Sequence, residues 1–368
     1  MISNAHGCDP NNIQNCGVNY IQQLSSNHSS YVVTNGADHL IKLWQLNVAD
    51  SDDGNYLIPQ CTLSGHTDAV TQTLEITSVS DRLASASKDG TVRIWSISKC
   101  KQVGSTITVG SAVNALENYP IGGTTIVSGD DEGRILIWDV TSGTQSTFAT
   151  LASSVNDLWL LGATNQYLGA ATGNNCNPTC TLANNDLYDQ GSLWLFNVAS
   201  PGFDAHTALT ASQKFLYFVY GDTFLADALS LDLTTGSTSA HTNSVNVIDS
   251  IQEISDQFAT ASSDGHTKVW SITNKNLAET SGCHTGAIYS SLDHVANPNI
   301  VNQYWLIDGS QDTNVNTYVI PSGGGNPLVG VYRTGQVITS LKIVNESNGR
   351  VRAFVGLITF AFLLARLF

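Results

Sequence analysis

The chain has 368 residues, of which 42% are hydrophobic, ample for a buried core, and only 12% are charged, about half the usual share. Thirty acidic residues against fifteen basic ones give a formal net charge of -15. Such a surface repels phosphate backbones at long range, and Lys99 with Lys101 is the nearest approach to a basic cluster, so nucleic-acid binding is excluded and a partner with a basic surface is favoured.

In chain order, residues 1–16 lack both the basic and the apolar regions of a secretory signal and carry Cys8 and Cys16. After Val18 comes YVVTNGADHLIKLWQL, two strand-like runs around a Gly-Asp turn. SGHTDAV (Ser64 to Val70) leads into RLASASKDGTVRIWSI, and IVSGDDEGRILIWDV repeats that hairpin from Ile126 to Val140. The next unit is interrupted over 172–191 by a polar insertion holding Cys176, Cys180, Tyr188 and Asp189. KFLYFVYGDTFLADALSLDL is the weakest copy, with Leu231 where tryptophan would sit. SAHTNSV then leads into QFATASSDGHTKVWSI, followed by QYWLIDGSQDTNVNTYVI. The end offers only three strands: VITSLKIV, RVRAFVGL and ITFAFLLARL. Its thirteen-residue apolar run from Ala353 to Ala365 is short of a bilayer-spanning helix and reads as buried strand.

An apolar residue follows the turn into each unit: Val18, Val70, Val113, Val155, Leu209, Val245, Ile288 and Val337. Their spacing of 36 to 54 residues implies stacked units that cannot bury a core alone. With Gly65-His66 opening a unit and Trp138-Asp139 closing one, the chain resembles the WD-repeat β-propeller family. The expectation is an all-β protein in one domain over 1–368: a closed β-propeller of four-stranded blades, eight by the count of anchors, with seven as the alternative. The missing last strand is expected from residues 1–16, a closure that the resemblance also implies.

His66, Ser85, Asp89 and Trp95 would catch a search for a hydrolytic triad, as would His241, Ser262, Asp264 and Trp270. Recurrence in several units is what a structural role predicts. The resemblance implies a buried chain in which Asp orients His, Ser bridges, and the indole N–H is satisfied. His284, Asp312 and Tyr318 form a partial copy, whereas the units at Val18, Val113 and Val155 show no His at that turn. The acidic turn Asp130, Asp131 and Glu132, with Tyr188 and Asp189 of the insertion, supplies candidate partner contacts. Trp159 and Trp305 are core residues or exposed anchors. No catalytic, cofactor or metal site is expected. The cysteines are read as free thiols, a Cys176–Cys180 loop disulfide or, least favoured, metal ligands.

The function expected is a non-catalytic protein-interaction scaffold or a structural subunit of a multi-protein complex or filament. It would be cytoplasmic, without membrane contact. The alternatives are a secreted or surface propeller, or an enzyme or ligand binder using the mouth of the central channel.

Overall fold

Strand-forming residues flank Gly- and Asp-containing turns along the whole chain, and they fold into antiparallel hairpins; the described residues contain no α-helix. The computed structural model describes residues 2–3, 6–9, 12–25, 28–46, 57–119, 123–151, 153–161, 167–173, 193–198, 217–220, 223–226, 241, 243–251, 256–272, 276–296, 300–301, 303–321, 328–345, 351–357 and 361–366. The insertion, with Cys176, Cys180, Tyr188 and Asp189, lies almost wholly outside them, as does Leu209.

The chain is an all-β propeller, and among the described residues six units of four strands follow one another. The first comprises Val18–Gln23, Tyr31–Gly36, Ile41–Leu46 and Leu57–Leu63. The second runs through Val70–Glu75, Arg82–Ser87, Thr91–Ser96 and Lys101–Gln102. The third has Val113–Asn118, Thr125–Asp130, Arg134–Asp139 and Gln145–Thr150. Val155–Leu161, Tyr167–Thr172, Leu193–Asn197 and Tyr217–Tyr220 make the fourth. The fifth consists of Val245–Ser250, Gln257–Ser262, His266–Ser271 and Asn276–Cys283. The sixth consists of Ile288–Ala296, Tyr304–Ser310, Asn314–Ile320 and Leu328–Arg333. Three further strands, Ile338–Asn345, Val351–Leu357 and Ala361–Arg366, form a C-terminal sheet. On its edge Ile2 faces Phe362 and Ser3 faces Ala361. Of the rest of 1–16, Cys8–Asp9 and Asn12–Cys16 pair with each other.

Eight units are therefore not formed, and the physical reason lies at the anchors. After five of the anchors the next residue sends its side chain to the following inner strand. Asn19 Nδ2 donates to Val70 O at 2.9 Å, Thr71 Oγ1 to Val113 O at 2.6 Å, and Asn114 Nδ2 to Val155 O at 3.2 Å. Asn156 Nδ2 then donates to Val245 O at 2.7 Å, and Asn246 Nδ2 to Ile288 O at 2.6 Å. The strands beginning at Val155 and Val245 are thus immediate neighbours, with no room for a unit anchored at Leu209. Gly173 tightens this seam: its φ is +142°, and a Cβ there would lie 2.7 Å from Ser244 Cα. The weak segment instead contributes the outer strand Tyr217–Tyr220 and its hairpin partner Thr223–Ala226, which reaches Asn276 of the fifth unit. Thr339 Oγ1, in the C-terminal sheet, donates to Val18 O of the first unit.

Because each sheet has one face too small to bury by itself, apolar clusters form across the seams. Leu43, Val70 and Trp95 fill the first seam, and Leu74, Ile94 and Trp138 the second. Val127, Phe148 and Phe196 join the third unit to the fourth, and Leu195, Phe258 and Trp270 the fourth to the fifth. Ala259, Tyr304 and Tyr318 continue the series, and Trp305, Ile307 and Val355 reach the C-terminal sheet. Full burial of one such large side chain is worth about 1.5–3 kcal/mol, so the seams carry much of the stability. Cys61 and Cys100 form a disulfide across the first seam, a pairing 39 residues apart that no local spacing suggested. No helix among the described residues is long and apolar enough to cross a membrane.

Candidate functional site

Five of the units concentrate polar chemistry at one turn. In the second, His66 Nδ1 lies 2.9 Å from Asp89 Oδ2 and Nε2 2.7 Å from Ser85 Oγ, while Trp95 Nε1 donates to Ser85 Oγ at 2.8 Å. The roles follow from the atoms available: the carboxylate only accepts, so Nδ1 carries the proton. The hydroxyl accepts from the indole and gives its own hydrogen to Nε2. Burial opposes ionisation of Asp89, but hydrogen bonds from His66, Thr91 and the Thr67 amide outweigh it and hold the carboxyl well below its usual range. Nothing here is free to attack a substrate: Ser85 is fully buried and both its hydrogen-bonding roles are used.

In the fifth unit His241 meets Asp264 at 3.0 Å, but the bridge is Thr260, which lies 2.9 Å from both His241 Nε2 and Trp270 Nε1. Ser262, expected to bridge, instead donates to Asn243 O and accepts from the Asp264 amide. The reason is register: Trp270 sits ten residues after the bridging hydroxyl, as Trp95 sits after Ser85, and Ser262 is one pleat too far along. Burial lowers the basicity of His241 despite the opposing pull of Asp264.

The first unit corrects a second expectation, because it does have a histidine. His6 Nδ1 lies 2.7 Å from Asp38 Oδ1 and Nε2 2.8 Å from Thr34 Oγ1, which also accepts from Trp44 Nε1 at 2.9 Å. The hairpin of Cys8–Asp9 with Asn12–Cys16 separates His6 from Val18 by twelve positions, where His66 precedes Val70 by four. The Ala-His-Gly tripeptide was the one available signal. In the sixth unit His284 lies between two carboxylates, Asp308 at 2.8 Å and Asp312 at 2.9 Å. Burial opposes its charge, but the two acids prevail and raise its pKa.

The third unit, lacking His, holds its turn with an ion pair. Asp130 is buried, lies 2.7 Å from Arg134 Nη2, and accepts from the Glu132 and Arg134 amides. It is thus a turn residue and not the partner contact expected of it. Asp131 and Glu132 are exposed, although Asp131 also accepts from Asn114 at 2.7 Å. Trp138 Nε1 donates to Ser128 at 2.8 Å. Trp305 is buried in the core; Trp159 is half-buried and donates to Ser250 Oγ at 2.8 Å.

Where the inner strands converge, a cavity of about 380 Å³ opens among Tyr20, Gln22, Gln72, Glu75, Glu117, Trp159 and Ser250. Deeper, a volume of about 70 Å³ is bounded by Asn156, Asp157, Asn246, Asp249 and Lys342. Burial, with Asp249 adding, pushes the Asp157 carboxyl up to about 7; burial, with Asp157 adding, pushes Glu117 up to about 8. Both carboxyls also brace neighbouring strands, since Asp157 Oδ2 accepts from the Ile248 amide at 3.0 Å and Glu117 from that of Leu160. Asp249, Asp293 and His294 bring ligand atoms within 4.8 Å of one another. However, His294 Nδ1 already meets Asp249 at 2.7 Å and Lys342 Nζ meets Asp293 at 2.9 Å. Burial opposes the Lys342 charge, yet Asp293 and Asp249 raise its pKa, and the ammonium supplies the charge a metal would bring.

Comparison with known proteins converges on the same units. The family model "WD domain, G-beta repeat" matches residues 57–96, the first three strands of the second unit with the strand before them. "Protein transport protein SEC13" of Phaeosphaeria nodorum is 32% identical over 108 residues, covering 29% of this chain and 34% of that protein.

Proposed function

Because the chain is a WD-repeat β-propeller protein, we propose that it acts as a non-catalytic interaction scaffold, a subunit that holds other proteins in a larger assembly. The observation that carries this reading is the repetition of the buried His–Asp–hydroxyl–Trp arrangement in the first, second and fifth units. Groups able to do acid–base chemistry are spent on fixing turns, and a rigid body with loop-rich faces is what that expenditure produces. SEC13 is by its name a protein of protein transport, and the likeness to it spans about a third of its length.

On the same reading the C-terminal sheet is a seventh blade completed by Ile2–Ser3, and residues 1–16 close the ring. The backbone pairing with Ala361 and Phe362 and the Thr339–Val18 hydrogen bond support it. The net charge of -15 suits partners with basic surfaces, met first at exposed acids such as Asp131 and Glu132. Tyr188 and Asp189 of the insertion remain candidate contacts, since long loops on a rigid scaffold more often bind than stabilise.

The test is affinity capture of the full chain from its native source at about 50 mM and at about 500 mM salt, with bound chains identified. Basic partners retained at low salt and released at high salt are expected. Recovery of the chain alone at both salts overturns the scaffold reading.

A further inference from the structure

Cys61 and Cys100 belong to different units. Cys61 lies in Leu57–Leu63, the outer strand of the first, and Cys100 in the turn that follows Thr91–Ser96 in the second. Their Cα atoms are 6.2 Å apart and their sulfurs are bonded. Both half-buried side chains pack with Tyr31 against the apolar cluster that fills the first seam. The bond therefore runs between two sheets that, among the described residues, otherwise meet through packing and side-chain hydrogen bonds. Backbone register sets a second pair opposite one another, Cys8 facing Cys16 at the entrance to the first unit.

We propose that the Cys61–Cys100 bond is a permanent staple of the native protein, and that the chain therefore matures in an oxidising compartment. In a reducing cytosol the thiol pool keeps such pairs open, whereas secreted and luminal proteins retain them. This favours the extracellular alternative over the cytoplasmic expectation and does not depend on the scaffold reading. The staple sits where it has most to hold. The first unit takes its histidine from the N-terminal segment and receives Thr339 from the C-terminal sheet, so it is where both ends of the chain are tied down. Fixing that unit to the second restrains the joint from its other side, and closing a 39-residue loop removes freedom from the unfolded chain.

The chemistry needs a disulfide co-substrate, a small oxidised thiol or the disulfide of an oxidase. One cysteine thiolate attacks its sulfur, forming a mixed disulfide and releasing the first thiol. The second cysteine thiolate then attacks the protein sulfur and expels the other thiol. Two electrons pass from the protein to the co-substrate, and the two cysteine protons end on the released thiols.

The experiment is to lyse the native source in the presence of a thiol-alkylating reagent, isolate the full chain, and map its peptides without reductant. A peptide containing Cys61 joined to one containing Cys100, with neither alkylated, is expected, and the chain should partition with secreted or lumen-enclosed protein. Alkylation of both cysteines overturns the staple; a linked pair in the cytosolic fraction overturns the compartment. In parallel, reductant should lower the melting temperature of the native chain by roughly 3–5 °C. The doubly substituted Cys61→Ser, Cys100→Ser chain should start lower and lose most of that response. A native chain indifferent to reductant also overturns the proposal.

Discussion

A buried turn carboxylate is worth most where its partners have no substitute. Asp89 accepts from the Thr67 and Thr91 amides as well as from His66, so Asp89→Ala leaves several donors without an acceptor and should cost about 1–3 kcal/mol in urea or thermal unfolding. Unchanged stability would remove the hydrogen-bonded chain from the explanation of the fold. The same logic separates two neighbouring hydroxyls. Thr260→Val removes the group shared by His241 and Trp270 and should cost about 1–3 kcal/mol, whereas Ser262→Ala, which loses local turn bonds, should cost about 0.5–1.5 kcal/mol. Equal losses would contradict the register argument. Asp157 and Glu117 supply the pH dependence. Their folded pKa values of about 7 and about 8 stand above ordinary values of 3.8 and 4.5, so between these limits the folded state holds protons that the unfolded chain has released. Their contribution to stability is thus most favourable below pH 4 and declines as pH rises to about 8. Asp157→Asn, which keeps an acceptor oxygen but carries no charge, should raise the melting temperature more at pH 8 than at pH 5. An equal change at both values would mean that the carboxyl is not held protonated.

At the scale of the element, the recurring device is a single polar residue after five of the anchors. Asn156 donates to Gly173 O, Ser244 Oγ and Val245 O, tying the inner strand of the fourth unit to that of the fifth. Asn156→Ala should therefore speed amide hydrogen exchange in Val245–Ser250 and Tyr167–Thr172 while leaving the hairpin Arg82–Ser87 with Thr91–Ser96 protected. Uniform acceleration across all units would argue that the seam has no local stability of its own. The hairpins were legible because the alternation of Val, Ile and Trp around Gly-Asp turns is a local signal. The seam latch was present as plainly in the sequence, in Val-Asn and Val-Thr dipeptides. Its meaning was hidden, because an amide or hydroxyl that reaches a carbonyl 41 to 89 residues away leaves no local trace.

The molecule as a whole depends on residues 2–3 and on His6, and these two parts do separable work. Removing residues 1–3 strips the edge of the C-terminal sheet and should favour aggregation through its unpaired strand, read by light scattering. His6→Ala leaves that edge in place but breaks the first-unit chain, and should lower stability by about 1–3 kcal/mol with solubility kept. Two variants with the same defect would show the segment to be one element. The sequence by itself determined the repeating hairpins and the all-β class, since each rests on period and spacing within a single unit, and the family resemblance implied the buried chain of His66, Ser85, Asp89 and Trp95. It could not decide how many units stand side by side, that Thr260 and not Ser262 bridges, that His6 completes the first unit, or that Asp130 turns inward to Arg134. Nor could it join Cys61 to Cys100. Those outcomes were decided by the tertiary structure, because each depends on which strands become neighbours, and strand adjacency is settled by the seams: close approach at Gly173, an amide finding a distant carbonyl, and apolar faces that can be buried only against the next sheet.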